Sequence, residues 1–236
     1  AYAAQTLLQG VEMAIDEINA AGGIKSMGGA KLRVIKADTK TDAKTGGIVT
    51  EALITRDKVH VIWGEYTTGV TLVMQDVCEK YGVPNLAVAG SPIVTERGLK
   101  WAFRTHPHMR DWNEVVFDLL NQLGVKTAVI FTDTSAYGKA VRATHDAFAK
   151  KHGIKVLLDE LYERGTLDLS ALIYKIQAAR PDAVLGGPYL SDAMLLLRQM
   201  KGANVTFPLL LGLATGFTDI EFWKKTGGAG EYVTAG

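Results

Sequence analysis

Two stretches of this 236-residue chain carry small hydroxyl side chains at a spacing suited to ligand capture. The first, Glu65-Tyr66-Thr67-Thr68-Gly69, follows the apolar run Val61-Ile62-Trp63-Gly64. The second, Thr132-Asp133-Thr134-Ser135-Ala136-Tyr137-Gly138, follows Ala128-Val129-Ile130-Phe131. A helical pattern comes after each, so both loops fall where a strand gives way to a helix. In an α/β sheet ligands sit there, beyond the carboxyl ends of the strands and beside open N–H groups. Two such halves in series predict two lobes facing each other across a cleft, and capture of a small molecule.

Reaction chemistry is missing from the sequence. Gly227-Gly228-Ala229-Gly230 precedes a strand pattern rather than a helix, the wrong context for a dinucleotide. There is no Walker loop, no Gly-x-Ser-x-Gly elbow, no Cys-x-x-Cys and no nucleophile–base–orienter set, so the chain does not read as an enzyme. His106 and His108 flank Pro107 with no acidic partner at fixed spacing and read as surface or cleft-edge residues. Neither a metal nor a cofactor is expected. Cys78, the single cysteine, rules out an intrachain disulfide and reads as a buried structural thiol on an apolar helix face. Trp63, Trp101 and Trp223 read as packing residues, with Trp112 the one placed near the cleft.

Charge narrows the partners further. Lys and Arg number 26 against 25 Asp and Glu, a net charge of +1. No field of that size draws the chain to nucleic acid or to anionic lipid. No apolar run approaches the ~20 residues of a membrane span.

The elements that must position these loops follow from periodicity. Residues 4–21 form an amphipathic helix with Leu7, Leu8, Val11, Ile15 and Ile18 on one stripe, stopped by Gly22-Gly23. Lys31–Asp38 alternates as a strand bordering water. A helix opened by Asp42 and Thr45 turns Ile48, Val49, Leu53 and Ile54 inward. Strand 60–63, helix 69–81, strand 85–89, strand 101–105 and helix 111–123 come next. The second series runs strand 126–131, helix 137–152, strand 154–161, helix 168–179, strand 182–186, helix 191–201, strand 207–212, helix 218–226 and strand 231–235. Such alternation calls for parallel sheets with right-handed crossovers. The predicted division is 1–121 and 122–236. Because the chain opens inside a helix and closes on a strand, it is expected to be a fragment lacking a first strand and the final return segments.

Several stretches resemble the leucine/isoleucine/valine-binding type of solute-binding protein that serves ABC transporters. They are Gln9-Gly10-Val11-Glu12-Met13-Ala14-Ile15-Asp16-Glu17-Ile18-Asn19-Ala20-Ala21-Gly22-Gly23-Ile24, Tyr81-Gly82-Val83-Pro84, Phe103-Arg104-Thr105, Ala136-Tyr137-Gly138, Ala179-Arg180-Pro181-Asp182-Ala183-Val184 and Tyr232-Val233-Thr234. They occur in order over nearly the whole chain. The resemblance implies two Rossmann-like lobes with parallel sheets, the periplasmic binding protein type I fold, of which about a third is absent. It implies that one lobe holds the ligand carboxylate through N–H groups and hydroxyls of two strand-end loops, by position Tyr66, Thr67 and Thr68 with Ala89, Gly90 and Ser91. Hydroxyls and amides at a helix start form a neutral anion cradle; capping of the helix by Thr67 or Thr68, and an ordinary turn at Ser91, are the alternatives. From the other lobe Tyr137 and Tyr189 would close over the ligand, each offering a flat apolar face and one hydroxyl.

The chain departs from the family where a carboxylate usually pairs the ligand ammonium: Leu211-Gly212-Leu213-Ala214-Thr215-Gly216 has none. Thr215 then lines the site, and either Asp192, Asp219 or Glu65 substitutes or the ligand lacks an ammonium. The bulky stretch from His106 to Trp112 adds His108 and Trp112 as contacts for an aromatic or other organic carboxylate. The reading is a monomeric extracytoplasmic binding protein, periplasmic or lipid-anchored in a single-membrane bacterium, that delivers an amino acid or related carboxylate to an ABC permease. A ligand-sensing receptor domain of the same fold and a Rossmann-like enzyme domain are the alternatives.

Overall fold

The computed structural model describes residues 2–212, 216–226, 230 and 233–235. The chain divides into two compact units, Ala1–His106 and Pro107–Gly236. The division falls ahead of the helix at 109–122, not after it at 121/122 as the sequence predicts. The reason is packing: Val116, Phe117 and Leu120 of that helix bury against Ala128, Ile130 and Ala149 of the second unit.

In the first unit α1 (Tyr2–Ala20) is followed by α2 (Ala43–Thr55), β1 (Ile62–Trp63), α3 (Thr68–Tyr81), β2 (Asn85–Ala87), α4 (Ile93–Glu96) and β3 (Ala102–Arg104). The strands form a parallel sheet in the order β1-β2-β3. Asp42 caps α2, accepting from the Thr45 amide at 2.7 Å, as its sequence position predicts. The buried face of α2 is Gly46, Thr50 and Ile54, whereas Ile48, expected inside, is exposed. Gly46 explains the rotation. A Cβ there would stand 2.6 Å from Val70 Cγ1, so α3 approaches α2 along the line of smallest side chains. Lys31–Asp38 forms no ladder among the described residues, although it alternates like a strand. Asn19 brackets it instead, accepting from the Leu32 amide at 2.8 Å and donating to the Leu32 carbonyl at 2.9 Å. Alternation reports two different faces; a strand also needs a neighbour to bond.

The second unit begins with α5 (Met109–Gln122), then alternates β4 (Thr127–Asp133), α6 (Ala136–Lys151), β5 (Lys155–Tyr162), α7 (Ser170–Ala179), β6 (Ala183–Gly186), α8 (Leu190–Gly202), β7 (Leu210–Gly212), α9 (Ile220–Thr226) and β8 (Val233–Ala235). Its sheet is parallel in the order β5-β4-β6-β7-β8. Strand β4 is buried on both faces, which is why it reads as a continuous apolar run. Val129 and Phe131 join Leu172, Ile173, Leu196 and Leu197 of α7 and α8. Ala128 and Ile130 join α5 on the opposite face. Asp182 locks the register of β4 against β6, one oxygen accepting from the Lys126 amide at 2.9 Å, the Thr127 amide at 2.8 Å and the Thr127 hydroxyl at 2.8 Å. Those bonds hold its carboxyl below the usual range.

Two buried titratable groups give testable consequences. Cys78 is fully buried, and desolvation pushes its thiol up to about 12. A thiol reagent should therefore label the native protein no faster than the chain unfolds, measured by mass spectrometry against time. His145 on α6 is fully buried beside Phe117, and burial pushes its pKa down from 6.5 to about 3. The unfolded chain then binds one more proton than the fold between those values, so stability is lost as pH falls below about 6.5. Urea titrations between pH 5.5 and 4 should show a slope contribution approaching about 1.4 kcal/mol per pH unit. A His145→Leu variant should lack it.

Candidate functional site

In the first unit the loops after β1 and β2 leave the same end of the parallel sheet. The β1 loop is organised by Glu65. Its Oε1 accepts from the amides of Tyr66 at 2.9 Å and Thr67 at 3.2 Å. Its carbonyl accepts from the Thr71 hydroxyl at 3.0 Å, and Asn85 of β2 donates to the preceding Gly64 carbonyl at 2.7 Å. The amides expected to meet a ligand are thus already bound by a carboxylate of the chain itself. Thr67 is the N-cap of α3 by position, yet its side chain makes no capping bond. Thr68 is buried, and its hydroxyl has no hydrogen-bond partner among the described residues.

The β2 loop carries Ala89, Gly90 and Ser91, all buried. Arg104 of β3 pins it, donating to the Gly90 carbonyl at 3.2 Å, the Ser91 carbonyl at 3.0 Å and the Thr95 hydroxyl at 2.7 Å. The Ser91 hydroxyl, like that of Thr68, is buried without a partner among the described residues. Sequence reasoning named the hydroxyls but missed Glu65 and Arg104 as the groups that set the loops. Arg104 was visible only as one residue of the Phe103-Arg104-Thr105 match.

In the second unit Asp133 closes β4. Its Oδ1 accepts from the Ser135 amide at 2.9 Å and from the Ser135 hydroxyl, and Ser135 caps α6 by accepting from the Gly138 amide at 3.1 Å. A Cβ on Gly138 would fall 2.1 Å from the Asp133 carbonyl oxygen, so only glycine lets the helix start this close to the strand. That turn fixes Tyr137, which is buried with its ring centroid 5.8 Å from that of Tyr189 at an interplanar angle of 55°. The guanidinium of Arg164 lies 3.8 Å over the Tyr189 ring. The two tyrosines proposed from sequence therefore form one pair.

Asp192 does not cap α8, because the helix starts earlier, with Tyr189 at the N-cap position. It is buried, accepting from the Ser191 hydroxyl at 2.9 Å and the Gly165 amide at 3.4 Å. Burial first, then the nearby Asp192 and Asp133 carboxylates, push the Tyr162 phenol well above its usual range. His108 is the N-cap of α5: its Nδ1 accepts from the Arg110 amide at 3.0 Å, and Asp111 accepts from the His108 amide at 3.1 Å. Trp112 is half-buried one turn on. Thr215 lies outside the described residues.

Comparison with known proteins gives a consistent picture. A family model described as "Periplasmic binding protein" matches residues 1–236. The Leu/Ile/Val-binding protein homolog 7 of Brucella abortus (strain 2308) is 30% identical over 221 residues, covering 89% of this chain and 54% of that protein. The chain spans about half the length of the curated relatives it matches. Among solved structures, the branched-chain amino acid transporter substrate binding protein LivJ of Streptococcus pneumoniae, in complex with isoleucine, superposes with a TM-score of 0.81 at 26% identity, over 93% of this chain and 62% of that one. The leucine binding protein LivK of Thermotoga maritima shares the fold, with a TM-score of 0.78 at 22% identity over 85% of this chain and 57% of its own.

The geometry of the β1 loop predicts the effect of removing its carboxylate. Glu65→Ala strips partners from two amides and should destabilise the first unit by about 1–3 kcal/mol, read as a lower urea midpoint. Glu65→Gln, which keeps an acceptor oxygen, should recover most of that loss.

Proposed function

The chain belongs to the periplasmic binding protein family, and we propose that it is the extracytoplasmic solute-binding component of an ABC importer, capturing an amino acid or a related small organic carboxylate. The observation that carries this reading is the pair of buried hydroxyls, Thr68 Oγ1 and Ser91 Oγ, without partners among the described residues. Leaving a hydroxyl dry and unbonded costs roughly 1–3 kcal/mol. A ligand carboxylate accepting from both, and from the backbone of Ala89–Ser91, removes that cost. Binding of this kind needs no catalytic group, so the protein binds without turnover and hands its ligand to a membrane permease. Among the described residues no helix is long and apolar enough to cross a membrane.

Two ligand classes part at one functional group. An aromatic or keto acid without an ammonium suits the tyrosine pair and the lack of an acid in Leu211–Gly216. An amino acid is favoured by Glu65. Its carboxylate is fixed in the loop next to Thr68, where a second anion is repelled unless a positive charge lies between them. The names of the Brucella and Streptococcus relatives also point to amino acids.

A thermal-shift panel separates the two. A ligand at about a hundredfold its dissociation constant adds roughly 2.7 kcal/mol of stability. Leucine, isoleucine and valine should raise the melting temperature if Glu65 pairs an ammonium, and Glu65→Gln should then abolish the rise. Phenylpyruvate and other ring-bearing acids should do so if none is needed. In either case Thr68→Val should weaken binding tenfold to a hundredfold. A folded Thr68→Val protein with full affinity removes the hydroxyl cradle, and turnover of any bound acid, amide or ester overturns the binding-protein reading.

A further inference from the structure

The sequence offers no metal-ligand motif, but the second unit assembles donors from two helices. Glu114, Asp118 and Asn121 fall at i, i+4 and i+7 on α5 and so share one stripe. His152, the C-cap of α6, faces that stripe. Its Nδ1 lies 2.7 Å from Asn121 Nδ2 and 4.0 Å from Asp118 Oδ1. One donor atom each from Glu114, Asp118 and His152 lies within 4.8 Å of the others. The place is far from the tyrosine pair: fifteen residues of helix separate Tyr137 from His152, about 22 Å at 1.5 Å per residue.

Two further features favour a cation there. The imidazole is held in place, its side chain only 8% exposed. It stacks on Phe148 with centroids 6.2 Å apart at 16°, and packs tilted against Phe117 at 5.8 Å. Its Nδ1 is the ring nitrogen turned to Asp118 and Asn121, and is the one placed to ligate. In addition, Asn121 belongs to the last turn of α5 and His152 ends α6, so two helices bring their negative dipole ends to one spot. A positive charge is already drawn in: Lys151 pairs with Glu114.

We propose that Glu114, Asp118 and His152 bind a divalent first-row transition ion of the zinc class, tying the end of α5 to the end of α6. An imidazole with two carboxylates is a mixed nitrogen–oxygen set, which suits zinc and its neighbours rather than calcium or magnesium, whose ligands are all oxygen. Asn121 supplies a fourth oxygen when its amide turns over, an orientation that the hydrogen-bond network alone sets. Tetrahedral ligands at zinc distances stand about 3.4 Å apart, so the carboxylates must draw in while Asn121 opens from its 2.7 Å contact with the imidazole. Glu114 and Asp118 are free to do so, with side chains 45% and 59% exposed. Lys151 must leave, and its exposed ammonium has solvent to enter.

The test is calorimetric titration of the full chain with zinc chloride, alongside calcium and magnesium chloride. One zinc per chain is expected, with at least tenfold weaker binding of the other two. Asp118→Asn, an exposed change that spares the fold, should weaken zinc at least tenfold, and His152→Ala should do the same. Lys151→Met should strengthen it, since the competing ammonium is gone; a role for these residues in structure alone predicts no such gain. Unchanged zinc affinity in Asp118→Asn, weaker affinity in Lys151→Met, or calcium binding as tight as zinc overturns the proposal.

Discussion

A parallel strand that ends inside a protein leaves amide and carbonyl groups with no ladder to continue, and each must find another partner or carry the cost of desolvation. Here charged side chains close those ends. Glu65 takes two amides beyond β1, Arg104 takes two carbonyls beyond β2, and Asp133 takes the amide and hydroxyl of Ser135 beyond β4. Such bonds involve an ionised group and are roughly twice as strong as neutral ones. The loops at these ends are therefore set by the chain itself, before any ligand arrives.

Under the proposed reading that arrangement sorts the groups open to a ligand. Glu65 takes the amides of Tyr66 and Thr67, leaving the β1 loop its Thr68 hydroxyl, while Arg104 takes only carbonyls of the β2 loop and so leaves the amides there beside the Ser91 hydroxyl. In the second unit the Asp133–Ser135–Gly138 turn fixes Tyr137, and Arg164 over Tyr189 fixes its partner ring. Loops tied down in this way would lower the ordering cost of the proposed capture, because less conformational entropy remains to be lost. They also narrow the chemistry: the charge of Glu65 is part of the first unit's loop and bears on any anion placed there.

The helices meet the opposite constraint. Their carboxyl ends carry carbonyls without partners, and α5 and α6 bring two such ends close together beside His152. Phe117 and Phe148 hold that imidazole while belonging to the apolar layer beneath it. Packing of the core and orientation of a polar ring are there the same set of contacts. The imidazole of His145, buried against Phe117 with neither nitrogen hydrogen-bonded among the described residues, is instead pushed by desolvation toward its neutral form.

Sequence by itself determined the alternation of strands and helices, because burial on both faces of a parallel sheet writes an unbroken apolar run, as in Ala128–Phe131, and glycines mark helix ends, as at Gly82 and Gly124. It also pointed to the hydroxyls and tyrosines of the strand-end loops, through the resemblance of those stretches to a known family. Tertiary contact decided the rest. Whether 31–38 pairs depends on a neighbour that no local pattern describes, and which face of α2 is buried depends on how closely Gly46 lets α3 approach. The unit that owns α5 depends on where Phe117 finds its partners. The roles of Glu65, Arg104 and Asp192 likewise came from three dimensions. A charged residue in a sequence is free to face water, and only the fold shows which backbone groups are close enough to claim it.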